Sequence, residues 1–129
     1  MKYKSITAGI TVSVKPRFER IAFVEKSLQY VFSYQVDIEN HSDKSVKLLS
    51  RRWIIVDGHG IKRIVEGDGV IGKQPTLRPG DSHAYSSWCP LPTPVGKMLG
   101  HYNMAVIHSD DVIEVEVPEF LFNTPFQLN

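Results

Sequence analysis

Apolar and polar residues alternate along much of this chain, and that period of two sets what it can fold into. Between positions 28 and 38 the even residues are Leu28, Tyr30, Phe32, Tyr34, Val36 and Ile38, separated mostly by polar residues such as Gln29, Ser33, Gln35 and Asp37. Ile6, Ala8, Ile10, Val12 and Val14 alternate with Thr7, Gly9, Thr11 and Ser13, and Ile113, Val115 and Val117 with Glu114 and Glu116. Successive side chains of an extended strand point to opposite faces, so each segment offers one face to a core and the other to water. Such half-buried strands belong in antiparallel sheets. No segment carries an apolar stripe at helical spacing long enough for a helix.

Turn chemistry recurs at strand-length intervals: Asn40-His41-Ser42-Asp43, Asp57-Gly58-His59-Gly60, Arg78-Pro79-Gly80-Asp81 and Ser109-Asp110-Asp111. Glycine supplies positive φ there, and Asn and Asp bond their own backbone two residues on. The strongest hairpin brackets Asp57–Gly60. A two-residue loop at Gly58-His59 would set Trp53 opposite Ile64 on the inward face and make Arg52 and Arg63 diagonal neighbours on the outward one. About seven strands and no helix predict an all-β fold, an antiparallel β-sandwich of fibronectin type III or immunoglobulin character. The lone Cys89 rules out the paired-cysteine framework of true immunoglobulin domains, which favours the fibronectin-like form. Two stretches, 67–79 and 89–100, read as long irregular connections, which in compact domains are more often functional than accidental.

At 129 residues with 42% hydrophobic and 22% charged, the chain is expected to form one domain, 1–129, that needs no disulfide. The longest uncharged stretch, 82–96, is interrupted by three prolines, so no membrane span is expected, and the N-terminus shows no signal-peptide pattern. A single cysteine fits a reducing compartment, and a cytoplasmic location is expected. The net charge of +1 hides an asymmetry. Eight basic residues lie between Lys44 and Arg78, whereas no Lys or Arg follows Lys97 and five carboxylates do. Such a field bears on partners rather than on fold. Neither the net charge nor the aromatic spacing suits a dedicated nucleic-acid binder.

Gly67-Asp68-Gly69-Val70-Ile71-Gly72 matches the G-x-G-x-x-G pattern of dinucleotide sites, whose physics requires a helix directly after the loop. Pro75 and Pro79 block that helix, and Glu66 and Asp68 would repel a pyrophosphate. Two readings remain. The glycines hold a tight connection where backbones approach closely. Alternatively, the amides of Gly67, Gly69 and Gly72 form an anion nest, with charge from Lys73, Arg63 and Arg78, for a pyrophosphate-containing small molecule.

Catalytic chemistry finds little support. Cys89 has no helix N-terminus to activate it, and no serine sits in a nucleophile elbow. The five histidines lack metal-ligand spacing, although His108 and Asp110 lie close in sequence; no metal or cofactor is expected. The segment from Cys89 through Pro90, Pro92 and Pro94 to Gly96 is expected to run as a polyproline-like loop. It either caps the end of the sandwich or presents a preorganised surface. In the second case Arg52, Trp88, Pro92, Pro94 and Met98 are the candidate partner-binding residues.

Several runs together carry a family resemblance: Trp53-Ile54-Ile55-Val56-Asp57-Gly58-His59-Gly60, Val65 through Pro75 with the glycine loop, Leu77-Arg78-Pro79-Gly80, Tyr85-Ser86-Ser87, and Leu91 through Tyr102. With the strand Tyr30 to Asn40, these resemble the bacterial ApaG family over nearly the whole chain. The resemblance implies a fibronectin type III-like sandwich with a glycine-rich loop and no established enzymatic activity. It also implies an association with cobalt resistance and magnesium efflux, and a genomic one with diadenosine tetraphosphate hydrolysis. Related eukaryotic domains, within an F-box protein and a DNA polymerase delta-interacting protein, imply a role in protein interaction. The expectation is therefore a non-catalytic sandwich that binds an unidentified protein partner, with edge strands that allow a homodimer. The alternative is an accessory protein that captures an anion or nucleotide pyrophosphate in the glycine loop.

Overall fold

The structure, a computed structural model, describes residues 1–126. Nine strands run in order: β1 (Tyr3–Thr7), β2 (Ile10–Val24), β3 (Ser27–Asn40), β4 (Val46–Asp57), β5 (Lys62–Asp68), β6 (Thr76–Leu77), β7 (Ser82–Leu91), β8 (Val95–Val106) and β9 (Val112–Asn123). One antiparallel sheet has the order β1-β2-β3-β7. The other has β5-β4-β8-β9, with β6 added to β4. Their inner faces enclose one core, as the alternation in β3 and β9 requires. Phe32, Val36, Ile38 and Val115 are fully buried, and Tyr34 nearly so. An aromatic cluster ties the layers together, with Phe120 against Tyr34, Trp53 and Phe122. The all-β sandwich expected from the alternation is the fold observed.

Several local expectations are corrected. The run 6–14 is not one strand. Ala8 and Gly9 both adopt positive φ (50° and 79°), the signature of a two-residue reversal that ends β1 and starts β2. Ile6 then pairs with Thr11 and points outward, so it is exposed while Ile10, Val12 and Val14 are buried. With that hairpin and the short β6, the described residues form nine strands rather than about seven.

The β4–β5 hairpin has a three-residue loop, not two. Gly60 donates to the Asp57 carbonyl (3.0 Å) and adopts φ +80°, and the Asp57 amide then pairs with Ile61 (3.1 Å). A turn followed by a left-handed glycine is the standard form of this loop length. The Asp57 carboxylate fixes it by accepting from the His59 and Ile61 amides. One extra residue shifts the register by one. Trp53 faces Val65, Ile54 faces Ile64, Arg52 faces Glu66 and Ile55 faces Arg63. Arg52 and Arg63 therefore lie on opposite faces, and Ile64 is exposed.

The proline-rich segment is also more regular than expected. β7 continues through Cys89 and Pro90 to Leu91, with Pro90 paired to Val31, and β8 resumes at Val95. Pro90 is tolerated because β7 is an edge strand, whose outward side needs no donor. Only positions 92–94 form the connection. Thr93 anchors it, accepting from the Gly58 amide (2.8 Å) and donating to the Val95 carbonyl (2.7 Å).

The two sides of the sandwich differ. On one, β1 and β9 are joined across the layers, with Ser5 Oγ donating to the Glu116 carbonyl (2.8 Å) and the Glu116 amide to Thr7 Oγ1 (3.2 Å). On the other, β5 and β7 are not paired, the Arg63 side chain reaches toward the Cys89 thiol, and the layers part.

Candidate functional site

The parted side is a cleft of about 390 Å³, bounded by β5 and the glycine loop on one flank and β7 on the other. Met98 and Trp53 lie at its base, and Tyr34, Tyr85, Ser87 and Cys89 line its β3–β7 wall. Arg63 enters from β5 because the one-residue register shift turns its side chain toward the cleft. Arg51, the cross-strand partner of Gly67, enters from β4.

Each glycine of the loop has its own reason, a close neighbour at Gly67 and Gly69 and a left-handed backbone alone at Gly72. A Cβ on Gly67 would stand 2.8 Å from Nη1 of Arg51, whose guanidinium lies over that backbone. Gly69 (φ +60°) would drive a Cβ into the Lys73 carbonyl oxygen. Ile71 (φ 49°) and Gly72 (φ 71°) form the reversal of a tiny hairpin in which Val70 and Lys73 exchange backbone hydrogen bonds of 2.8 and 3.0 Å. The Gly69 amide donates to the Leu49 carbonyl (2.8 Å). The loop thus aims carbonyls at a cation: Nη1 of Arg51 donates to the Asp68 carbonyl (3.1 Å) and the Gly69 carbonyl (3.0 Å). Lys73 leads to the extended β6 segment, so the helix that a dinucleotide fingerprint needs does not follow the loop.

The hydroxyls of Tyr85 and Tyr102 are hydrogen-bonded to each other, and burial raises the pKa of both. Burial also raises that of Tyr34, while a hydrogen bond to Ser87 opposes the rise. The Arg51 charge acts in the lowering direction on all three phenols. Burial pushes the Cys89 thiol up to about 11 despite the neighbouring Arg63 charge. The thiol is therefore protonated at neutral pH and a poor nucleophile.

Of the residues singled out in the sequence, the cleft gathers Arg63, Gly67, Gly72, Trp88 and Met98. Met98 is 1% exposed and belongs to the core, so it cannot serve as a surface contact. Trp88 is 58% exposed and has the outward parity of β7. Its ring lies over the outer face of that sheet, 5.7 Å from the Arg20 guanidinium of β2, and the residue only borders the cleft. Arg52 lies on the outer face of its sheet, 3.6 Å from Glu66. Arg78 is held by Asp81 (3.3 Å) in the turn after β6. Pro92 and Pro94 sit in the β7–β8 connection, and Pro92 is exposed. The five candidate partner residues therefore do not form one surface.

Sequence reasoning missed Arg51, Tyr34 and Tyr85. The signal for Arg51 was present: it shares the inward parity of Trp53 and Ile55, where a charge is out of place. Histidines are accounted for locally, His41 beside Glu39 (2.9 Å) and His101 beside Glu114 (2.9 Å). Burial and the Lys73 charge lower the pKa of His83. Among the described residues no group of three or more His, Cys, Asp or Glu is placed to hold a metal ion, and no helix is long and apolar enough to cross a membrane.

Known proteins match this arrangement along its length. Residues 22–106 match the ApaG domain family. "Protein ApaG" of Methylorubrum populi is 45% identical, over 95% of this chain and 94% of that protein. The crystal structure of the ApaA protein of Bordetella pertussis superposes with a TM-score of 0.81 at 42% identity, covering 92% of this chain and 95% of that one. A further structural-genomics X-ray structure gives a TM-score of 0.87 at 33% identity, covering 93% of this chain and 90% of that one. With agreement in sequence and fold over nearly all of its length, the chain belongs to the ApaG family.

Proposed function

We propose that this protein is a non-catalytic, cytoplasmic interaction domain that docks a partner protein along the open side between β5 and β7. The observation that carries the reading is the asymmetry of the sandwich. The β1–β9 side is joined by hydrogen bonds across the layers, whereas the β5–β7 side leaves Ile71 exposed beside Arg63, with the exposed Trp88 on the adjoining outer face of β7. An aliphatic and an arginine at the mouth of a concavity, with an aromatic on the adjoining face, is a composition that concentrates binding energy at interfaces. The partner suited to it presents an acidic segment, since the cleft carries two guanidinium groups and a single carboxylate, that of Asp68. A link to cobalt and magnesium handling would then run through the partner.

The reading favours a partner over pyrophosphate capture by glycine amides, because the Gly69, Val70 and Lys73 amides already donate to backbone carbonyls. The test is affinity capture from cell extract by the wild-type chain and by the Arg63→Glu, Trp88→Ser and Arg52→Glu variants. A specific partner lost with Arg63→Glu and with Trp88→Ser but retained with Arg52→Glu supports this edge. The same partners on all four chains would overturn it.

A further inference from the structure

The open edge explains where a partner meets the domain; the interior of the cleft points to a chemistry of its own. Arg51 is half-buried, yet neither it nor Arg63 has a carboxylate within 4.0 Å among the described residues, although six other ion pairs lie within that distance. Asp68 lines the same cleft but pairs with neither. A guanidinium taken partly out of water normally finds an anion, since carbonyl dipoles replace only part of its hydration. Here one nitrogen, Nη1, is occupied by the Asp68 and Gly69 carbonyls. Among the described residues the other N–H donors of Arg51 have no protein partner and are open to solvent, and the planar fork suits a two-oxygen acceptor.

The surroundings complete a receptor. Tyr34, Tyr85 and Ser87 line the opposite wall, their hydroxyls already bonded to one another or to Tyr102, and Ile71 adds apolar surface at the mouth. A concavity of about 390 Å³ with apolar walls and a few converging polar groups has the dimensions of a small-molecule site. We infer that the cleft between β5 and β7 is an oxyanion receptor in which Arg51 and Arg63 grip a carboxylate or phosphate group carried on a flat apolar body. This rests on the reading of the β5–β7 side as a binding face and names what enters it. It differs from a glycine nest in its donors: the guanidinium groups bind, and Gly67 makes room for one of them.

The test is a titration of the purified chain with phenyl phosphate, benzoate, phenol and a short peptide carrying one glutamate beside an aromatic residue. It is followed by backbone amide shifts and by the fluorescence of the two tryptophans, Trp53 at the cleft base and Trp88. Saturable shifts at Gly67, Asp68, Ser87 and Cys89 with the charged probes but not with phenol support the site. Loss of about tenfold or more in affinity with Arg63→Met, and none with Arg78→Met, ties binding to the cleft and not to general positive charge. Arg63 is exposed and makes no bond to the backbone, so its replacement leaves the fold intact. The peptide against benzoate distinguishes a partner's side chain from a free acid as the source of the anion. Absence of saturable shifts with every charged probe, or equal losses in the two arginine variants, overturns the site. The chain is titrated alone, so that negative leaves partner capture standing, and a failed capture leaves the titration standing.

Discussion

Arg51 and Gly67 face each other across the β4–β5 ladder, and the absent side chain of the glycine is the space that the guanidinium fills. The pair links a loop motif to a cationic cleft through simple sterics.

Replacing Gly67 with alanine sets a methyl 2.8 Å from Nη1 and about 3.1 Å from Cζ, so the arginine must move. The clash falls on the end of a flexible side chain that can swing aside, so the expected change in stability is small, within about 1 kcal/mol. Urea denaturation reads the stability. A changed Arg51 side-chain NH resonance, with the rest of the spectrum preserved, reads the displacement.

The other two glycines are expected to respond unequally. Gly72 has open space around it, so Gly72→Ala bears only the left-handed backbone cost of about 1–2 kcal/mol. Gly69→Ala adds a collision with the Lys73 carbonyl oxygen, and is expected to be the more destabilising by about 1 kcal/mol or more. Parallel denaturation midpoints decide the order; equal midpoints would refute the steric account.

Phe120 is fully buried at the centre of the ring cluster, touching Tyr3, Tyr34, Trp53 and Phe122. Phe120→Ala removes the ring that spans the two sheets, and a loss of about 3–5 kcal/mol is expected. A calorimetric melting curve measures it.

Cys89 should make the fold sensitive to alkali. Its thiol has a raised pKa in the native chain, from 9.0 to about 11, because burial disfavours the thiolate. The protonated form is thus the one the fold accommodates. Its contribution is complete below pH 9 and is lost as pH rises through about 11. Comparing Cys89→Ala with wild type cancels the tyrosines, and the difference in stability should change only in that alkaline window.

The alternation in β3 was readable because that strand keeps one parity, so parity alone assigned Tyr34 and Val36 to the core. In β9 it holds only through Val115 and Val117, after which a bulge opposite Met98 and Gly100 moves the core face to Phe120 and Phe122. Parity failed where reversals were hidden. Ala8-Gly9 turns the chain without Asn, Asp or Pro, and Gly60 adds a third loop residue that shifts β5 by one. That shift moved Arg63 from the outer face into the cleft. The rejection of a dinucleotide loop needed only the two prolines after it, which physically exclude the helix. The cleft itself was not legible, because it depends on which two edge strands end up facing each other across the layers, and that is a property of topology.

Pro90 has a consequence for assembly. Its missing amide lies in β7, so that margin of its sheet is a poor template for a neighbouring chain to zip onto. Pro118 lies in β9, beside the margin already occupied by β1. β5, with no proline between Lys62 and Asp68, keeps a full set of main-chain donors along its outer margin. Of the two strands that frame the opening, β5 is the one suited to being lengthened sideways by an incoming segment.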